Sequence, residues 1–180
     1  MLVGMDTHTT DPAAASSPSE TPSETGEEAP WLTAKEQQFW RAHLEISKLL
    51  DYQLGRELQP HNLASNDYEI LVVLSEAPER RMRMTDLATA TLQSKSRLSH
   101  QITRMENAGL VLRQECPGDR RGLFAHLTDL GWQTMQKVAP HHVRSVRAHF
   151  IDRFTPEQID TLYAAMAPVA EHLRNLRGRA

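Results

Sequence analysis

The chain has 180 residues, enough to bury one substantial core, with 20 Lys and Arg against 23 Asp and Glu. A single cysteine, Cys116, excludes an intramolecular disulfide and a cysteine zinc site, and no apolar run approaches the roughly 18 residues that mark a membrane span. The near-neutral total hides a division: residues 1–30 hold six acids and no Lys or Arg, whereas residues 80–121 hold nine basic residues against four acids. That local excess is the footprint a polyanionic partner needs.

The N-terminus lacks the basic start and apolar core of a secretory signal, so a cytoplasmic protein with no membrane partner is expected. Residues 6–30 are rich in Ser, Thr, Pro, Ala and Glu without apolar periodicity, so residues 1–30 read as a disordered acidic tail. From Trp31 the pattern changes. Phe39, Ile46, Leu50, Leu54 and Leu58 recur at spacings of seven and four, which predicts one amphipathic helix over about 33–58, stopped by Pro60. A second helix over about 66–77 carries Tyr68, Leu71, Val72 and Leu74 and is closed by Pro78. Thr85 is placed to cap a short third helix over 86–91 that turns Leu87 and Ala88 inward. Ser94 caps a fourth over 95–108, ended by Gly109 where a left-handed residue is wanted.

Residues 110–115 and 122–128 read as two strands, joined by turn chemistry at Pro117-Gly118-Asp119. Thr128 and Asp129 open a fifth helix, with a kink expected at Pro140. Thr155-Pro156-Glu157-Gln158 opens a sixth, which places Ile159, Leu162, Met166, Val169, Leu173 and Leu176 on one face despite Pro168. The fold class is mainly α: a winged helix-turn-helix in the order α-α-α-α-β-β-α-α. The winged helix spans about 62–128 of a domain over 31–180.

The fourth helix carries the functional signal. At 100° per residue, Leu98, Ile102 and Met105 form a narrow apolar stripe, opposite Ser96, His100 and Thr103, with Arg97, Arg104 and Ser99 on the shoulders. A solvated helix face would more often carry Glu and Lys pairs. Short hydroxyls, a His and two Arg suit a major groove, where Arg binds guanine in a bidentate way. Leu92-Gln93-Ser94 has the length of a helix-turn-helix turn. Asp119-Arg120-Arg121, between Gly118 and Gly122, is a slim basic tip of the kind that enters a minor groove. Thr85, Lys95, Ser96, Arg97, Ser99, His100, Arg104, Asp119, Arg120 and Arg121 are therefore the candidate contacts to double-stranded DNA.

Four blocks together resemble the MarR family of bacterial transcriptional regulators: Met84-Thr85-Asp86-Leu87-Ala88, the run from Ser99 to Leu112, Asp119-Arg120-Arg121-Gly122, and Leu127-Thr128-Asp129-Leu130-Gly131. The resemblance covers about 35–176. It implies a homodimer joined by terminal helices (about 33–58 and 129–177), acting on a pseudo-palindromic operator, most often as a repressor. It matches Asp119 and Arg121 to the family's wing Asp and minor-groove Arg, and Ser96, Arg97, Ser99 and His100 to its base and phosphate contacts. His100 departs from the Arg common there, which would alter the preferred base. Many such proteins release DNA on binding a small aromatic ligand, and Trp40, His43 and Tyr68 are the residues that could line its cleft. A homodimer also follows from the pattern itself, because the terminal stripes exceed what one small core covers.

Peroxide-sensing members of that family use a Cys near the start of the first helix, whereas Cys116 is expected at the wing base. His141, His142 and His149 lack the carboxylate and spacing of a metal set, and no cofactor is expected. No phosphate-binding Gly loop, nucleophile elbow or acid–base pair points to an enzyme. A winged-helix module for protein partners would carry acids or apolar residues on the outward face of 95–108, which this chain does not.

Overall fold

The computed structural model describes residues 30–116 and 119–177, with the backbone alone described at Cys116 and at 119–121. The expected tail and the Pro117-Gly118 part of the turn lie outside the described residues. Among the described residues six α-helices and three strands follow in chain order: α1 (Ala34–Leu58), α2 (Ser65–Glu76), β1 (Arg81–Arg83), α3 (Met84–Ala90), α4 (Lys95–Asn107), β2 (Val111–Cys116), β3 (Asp119–Leu127), α5 (Asp129–His149) and α6 (Pro156–Arg177). The order is that of a winged helix, with one strand more than the sequence suggested. β1 is three residues long and too short to show an alternation. It is defined by its antiparallel partner β3, in the register Arg81↔His126 to Arg83↔Phe124.

Helix starts follow local chemistry. At α1, Thr33 Oγ1 accepts from the Glu36 amide at 3.3 Å while the Thr33 amide donates to Glu36 Oε2 at 2.8 Å. Thr155 and Gln158 form the same reciprocal pair before α6, and Ser94 and Thr128 cap α4 and α5. Thr85 does not cap α3. The helix begins two residues earlier than expected, at Met84, because β1 ends at Arg83 and delivers it to the helix start as the cap residue. Thr85 lies inside the first turn and donates to Asp86 Oδ1 at 3.2 Å. α5 is assigned as one helix through Pro140, and α6 as one helix through Pro168.

The core sits where α2, α3 and α4 meet the inner face of the sheet. Ile70, Leu71, Leu74, Leu87, Leu98, Ile102 and Ala125 are wholly buried, with Met105, Val111 and Leu127 beside them. Val138 brings α5 onto this core, and Leu58 brings only the end of α1. Leu50 and Leu54 are half-buried, and the N-terminal part of the α1 stripe is uncovered, with Phe39 71% and Ile46 49% exposed. α6 buries no residue at all within the chain.

Candidate nucleic-acid interface

The stripe on α4 seats the helix. Leu98, Ile102 and Met105 point into the core, and Lys95, Ser96, Arg97, Ser99, His100, Thr103 and Arg104 are exposed. The turn before α4 uses Leu92 at φ +53°, and its amide donates to the Thr89 carbonyl. Gly109 ends the unit at φ +72°, a conformation that suits glycine. The Ser94 hydroxyl accepts from the Arg97 amide at 3.2 Å, leaving the first turn of α4 directed outward with no acid in it.

Within the candidate set the structure separates two kinds of side chain. Lys95, Ser96, Arg97 and His100 stand on the exposed face. Arg104 and Ser99 are engaged inside the chain. Arg104 donates to Asp67 Oδ1 at 2.5 Å, although its own side chain remains 59% exposed. Ser99 gives its carbonyl oxygen to Arg113 at 2.7 Å. Thr85 is exposed in the first turn of α3, at the end away from the α3–α4 connection. The side chains of Asp119, Arg120 and Arg121 lie outside the described residues. Their backbone extends β3 to Asp119, opposite Cys116, so Asp119 belongs to the strand rather than to the turn. Cys116 correspondingly sits at the far end of β2, not at the base of the wing.

Two residues that sequence patterns did not single out hold α4 in place. Asp67 on α2 is 2% exposed and accepts from the Ala64 amide at 2.9 Å, from Gln101 Nε2 at 3.0 Å and from Arg104. Arg113 on β2 reaches Glu106, Thr103 and Ser99 along α4. A sequence signal existed for Arg113. Alternation places it in phase with Val111 on the core side of β2, where a strand would ordinarily carry an apolar residue. Asp67 offered only an acid in the first turn of a helix.

The candidate ligand residues are not brought to one cavity within the chain. The Trp40 and His43 rings stack at 5.7 Å on the exposed half of α1. Tyr68 is buried and packs on His142 at 4.5 Å, lining a cleft of about 290 Å³ with Leu54, Leu58, Glu69 and Val72. Burial raises the Tyr68 phenol and lowers the His142 imidazole relative to their ordinary values. His149 pairs with Glu57 at 2.8 Å instead of joining His141 and His142. Among the described residues no group of three or more His, Cys, Asp or Glu is placed to hold a metal. No described helix is long and apolar enough to cross a membrane.

Comparison with known proteins agrees with this geometry. A model of the MarR family matches residues 61–122, the span from the end of α1 to the wing. AbsC, a MarR family transcriptional regulator from Streptomyces coelicolor, is 65% identical, with a TM-score of 0.78 over 81% of this chain and 98% of that one. Sco3205, from the same organism and solved in complex with DNA, is 46% identical, with a TM-score of 0.78 over 82% and 92%. The homoprotocatechuate degradative operon repressor of Escherichia coli is 32% identical over 102 residues, 57% of this chain and 67% of the repressor. The seated α4, the wing beside it and these relatives together place the chain in the MarR family of DNA-binding transcriptional regulators.

Proposed function

We propose that the protein is a homodimeric repressor that reads a pseudo-palindromic operator. The exposed face of α4 carries this reading: Lys95, Ser96, Arg97 and His100 are exposed, with no side-chain partner among the described residues, above a fully buried stripe. In such a protein α4 enters the major groove, Arg97 and His100 meet base edges, and Ser96 and Lys95 meet phosphates. The wing, with Arg121 oriented by Asp119 and Arg120 beside it, follows the adjacent minor groove. Arg104 and Thr85 contribute backbone contacts at the edge of the footprint.

The winged helix (about 62–128) is carried between dimerisation helices. Leu162, Met166, Val169, Leu173 and Leu176 on α6 and Phe39 and Ile46 on α1 are 37–71% exposed in the single chain. Two copies covering these faces would set their α4 helices one helical turn of DNA apart, roughly 34 Å. The DNA complex of Sco3205 and the repressor name of the Escherichia coli relative support the same reading. A small aromatic effector would enter beside Tyr68, between α1, α2 and α5, where Leu54, Leu58 and Val72 supply apolar walls and His142 a polar edge.

The test is an anisotropy titration of the full chain against the DNA flanking its own gene, repeated across salt, with sedimentation of the free protein. A sequence-preferring complex is expected, whose log affinity falls steeply with log salt, formed by a dimer. Equal binding to all DNA, or a monomer at micromolar concentration, would overturn the reading.

A further inference from the structure

Arg113 occupies a position where β2 should turn an apolar side chain inward. It pairs with Ala125 of β3, which is wholly buried, and lies in phase with the buried Val111. The Arg113 side chain is only 21% exposed and that of Glu106 27%. Its guanidinium ion-pairs with Glu106, donates to Thr103 Oγ1 at 3.0 Å and to the Ser99 carbonyl at 2.7 Å, and approaches Ser99 Oγ at 3.4 Å. Its backbone amide donates to the other Glu106 oxygen at 2.7 Å. Positions 99, 103 and 106 follow one face of α4 at spacings of four and three. One side chain of the wing therefore spans two turns of the helix that faces DNA.

Resting on the proposed reading of α4 and the wing as DNA-binding elements, we infer that Arg113 is a positioning residue for recognition. It locks the angle between the major-groove helix and the wing strand. Such an angle matters because error grows along the strand. At about 3.3 Å per residue, a tilt of about 10° at Arg113 moves Cys116 by roughly 2 Å and the tip by more. A helix and a wing that must enter adjacent grooves together lose register at that scale. The clamp also commits the Ser99 carbonyl and the Thr103 hydroxyl as acceptors, which leaves the base-reading work to Arg97 and His100. Lys in place of Arg has no planar fork and cannot hold Glu106, Thr103 and Ser99 at once.

The test uses the full-length protein, a duplex that the wild type selects from random-sequence DNA, and a shuffled duplex of equal length. Arg113→Gln is expected to lower affinity for the selected duplex by about 10- to 100-fold. Affinity for the shuffled duplex and the salt slope on both should stay near wild type. Arg113→Lys should be impaired to a similar degree. If Arg113→Gln lacks the native circular dichroism spectrum, Glu106→Gln keeps an acceptor for the Arg113 amide and should reduce discrimination in the same direction. Equal losses on both duplexes, with the salt slope reduced by about one, would make Arg113 a direct phosphate contact and overturn the inference. So would unchanged discrimination accompanied only by a lower melting temperature, or full discrimination in Arg113→Lys. A wild type that selects no sequence would instead defeat the repressor reading itself.

Discussion

Asp67 and Arg104 lie 37 residues apart and meet at 2.5 Å, the carboxylate almost wholly buried and the guanidinium's side chain more than half exposed. One end of this pair belongs to the core and the other to the exposed face of α4. Asp67 also takes hydrogen bonds from Gln101 and from the amide of Ala64, so a single carboxylate closes the start of α2 and anchors the middle of α4.

Removing that carboxylate should therefore cost stability more than charge. Asp67→Ala leaves the buried Gln101 amide and the Ala64 N–H without their acceptor, and each orphaned donor costs about 1–3 kcal/mol. A loss of about 2–4 kcal/mol in urea unfolding is expected, seen as a lower midpoint with an unchanged slope. A loss below about 0.5 kcal/mol would show that the network is dispensable.

The same pairing separates two arginines that look equivalent in sequence. Arg97 is exposed with its charge directed outward, whereas Arg104 is partly neutralised by Asp67. Arg97→Ala should reduce the salt slope of DNA binding by about one, or relax preference at one base pair. Arg104→Met should change the slope by clearly less and lower the melting temperature instead. Equal slope changes in the two variants would contradict this division.

Two glycines at the ends of the reading unit should respond very differently to alanine. At Gly131 a Cβ would lie 2.1 Å from the Leu110 carbonyl oxygen and 2.6 Å from Leu127 Cδ1, so the start of α5 would have to move off the strand. Gly131→Ala is expected to destabilise by about 2–4 kcal/mol. At Gly109 the nearest side-chain atom would be 3.4 Å away, and the penalty is mainly the left-handed backbone, about 1 kcal/mol. Calorimetry of both variants would test the order, and a milder effect at Gly131 would refute it.

Stability should fall on mild acidification because of His142. Burial beside Tyr68 lowers its pKa below the ordinary imidazole value, with Glu57 opposing the shift. The folded protein thus binds this proton less readily than the unfolded chain. The stability contribution is complete above the unfolded pKa of about 6.5 and declines as pH falls below it. Glu57 is shifted downward, chiefly by its hydrogen bond from Gln53, so its own contribution is complete above the ordinary carboxylate pKa and declines only as pH falls below it. Melting temperatures at pH 7.5 and 5.5 should diverge less in His142→Phe than in the wild type. An identical pH response would exclude His142 as its source.

What was legible in the sequence is what local chemistry decides. The caps at Thr33, Ser94, Thr128 and Thr155, the left-handed Gly109 and the buried stripe Leu98-Ile102-Met105 depend on residues within a few positions of one another. The outward face of α4 follows from that stripe by geometry alone, and the candidates Ser96, Arg97 and His100 followed with it. Thr85 misled because a cap is defined by where the preceding segment stops being extended, and β1 moved that point by two residues, to Arg83.

Only the folded chain decided the rest. β1 is three residues whose pairing depends on β3, more than forty positions away, and no local period announces it. Arg104 and Ser99 read as free contacts until α2 and β2 brought Asp67 and Arg113 against them. Trp40 and His43 stand on α1 and Tyr68 on α2, and α1 leaves the core near Leu54, which separates the first two from the third. Periodicity sets which side of an element turns inward, because that depends only on backbone geometry. Which polar group meets it there is decided by long-range packing, because a buried charge must find its partner wherever the fold has put one.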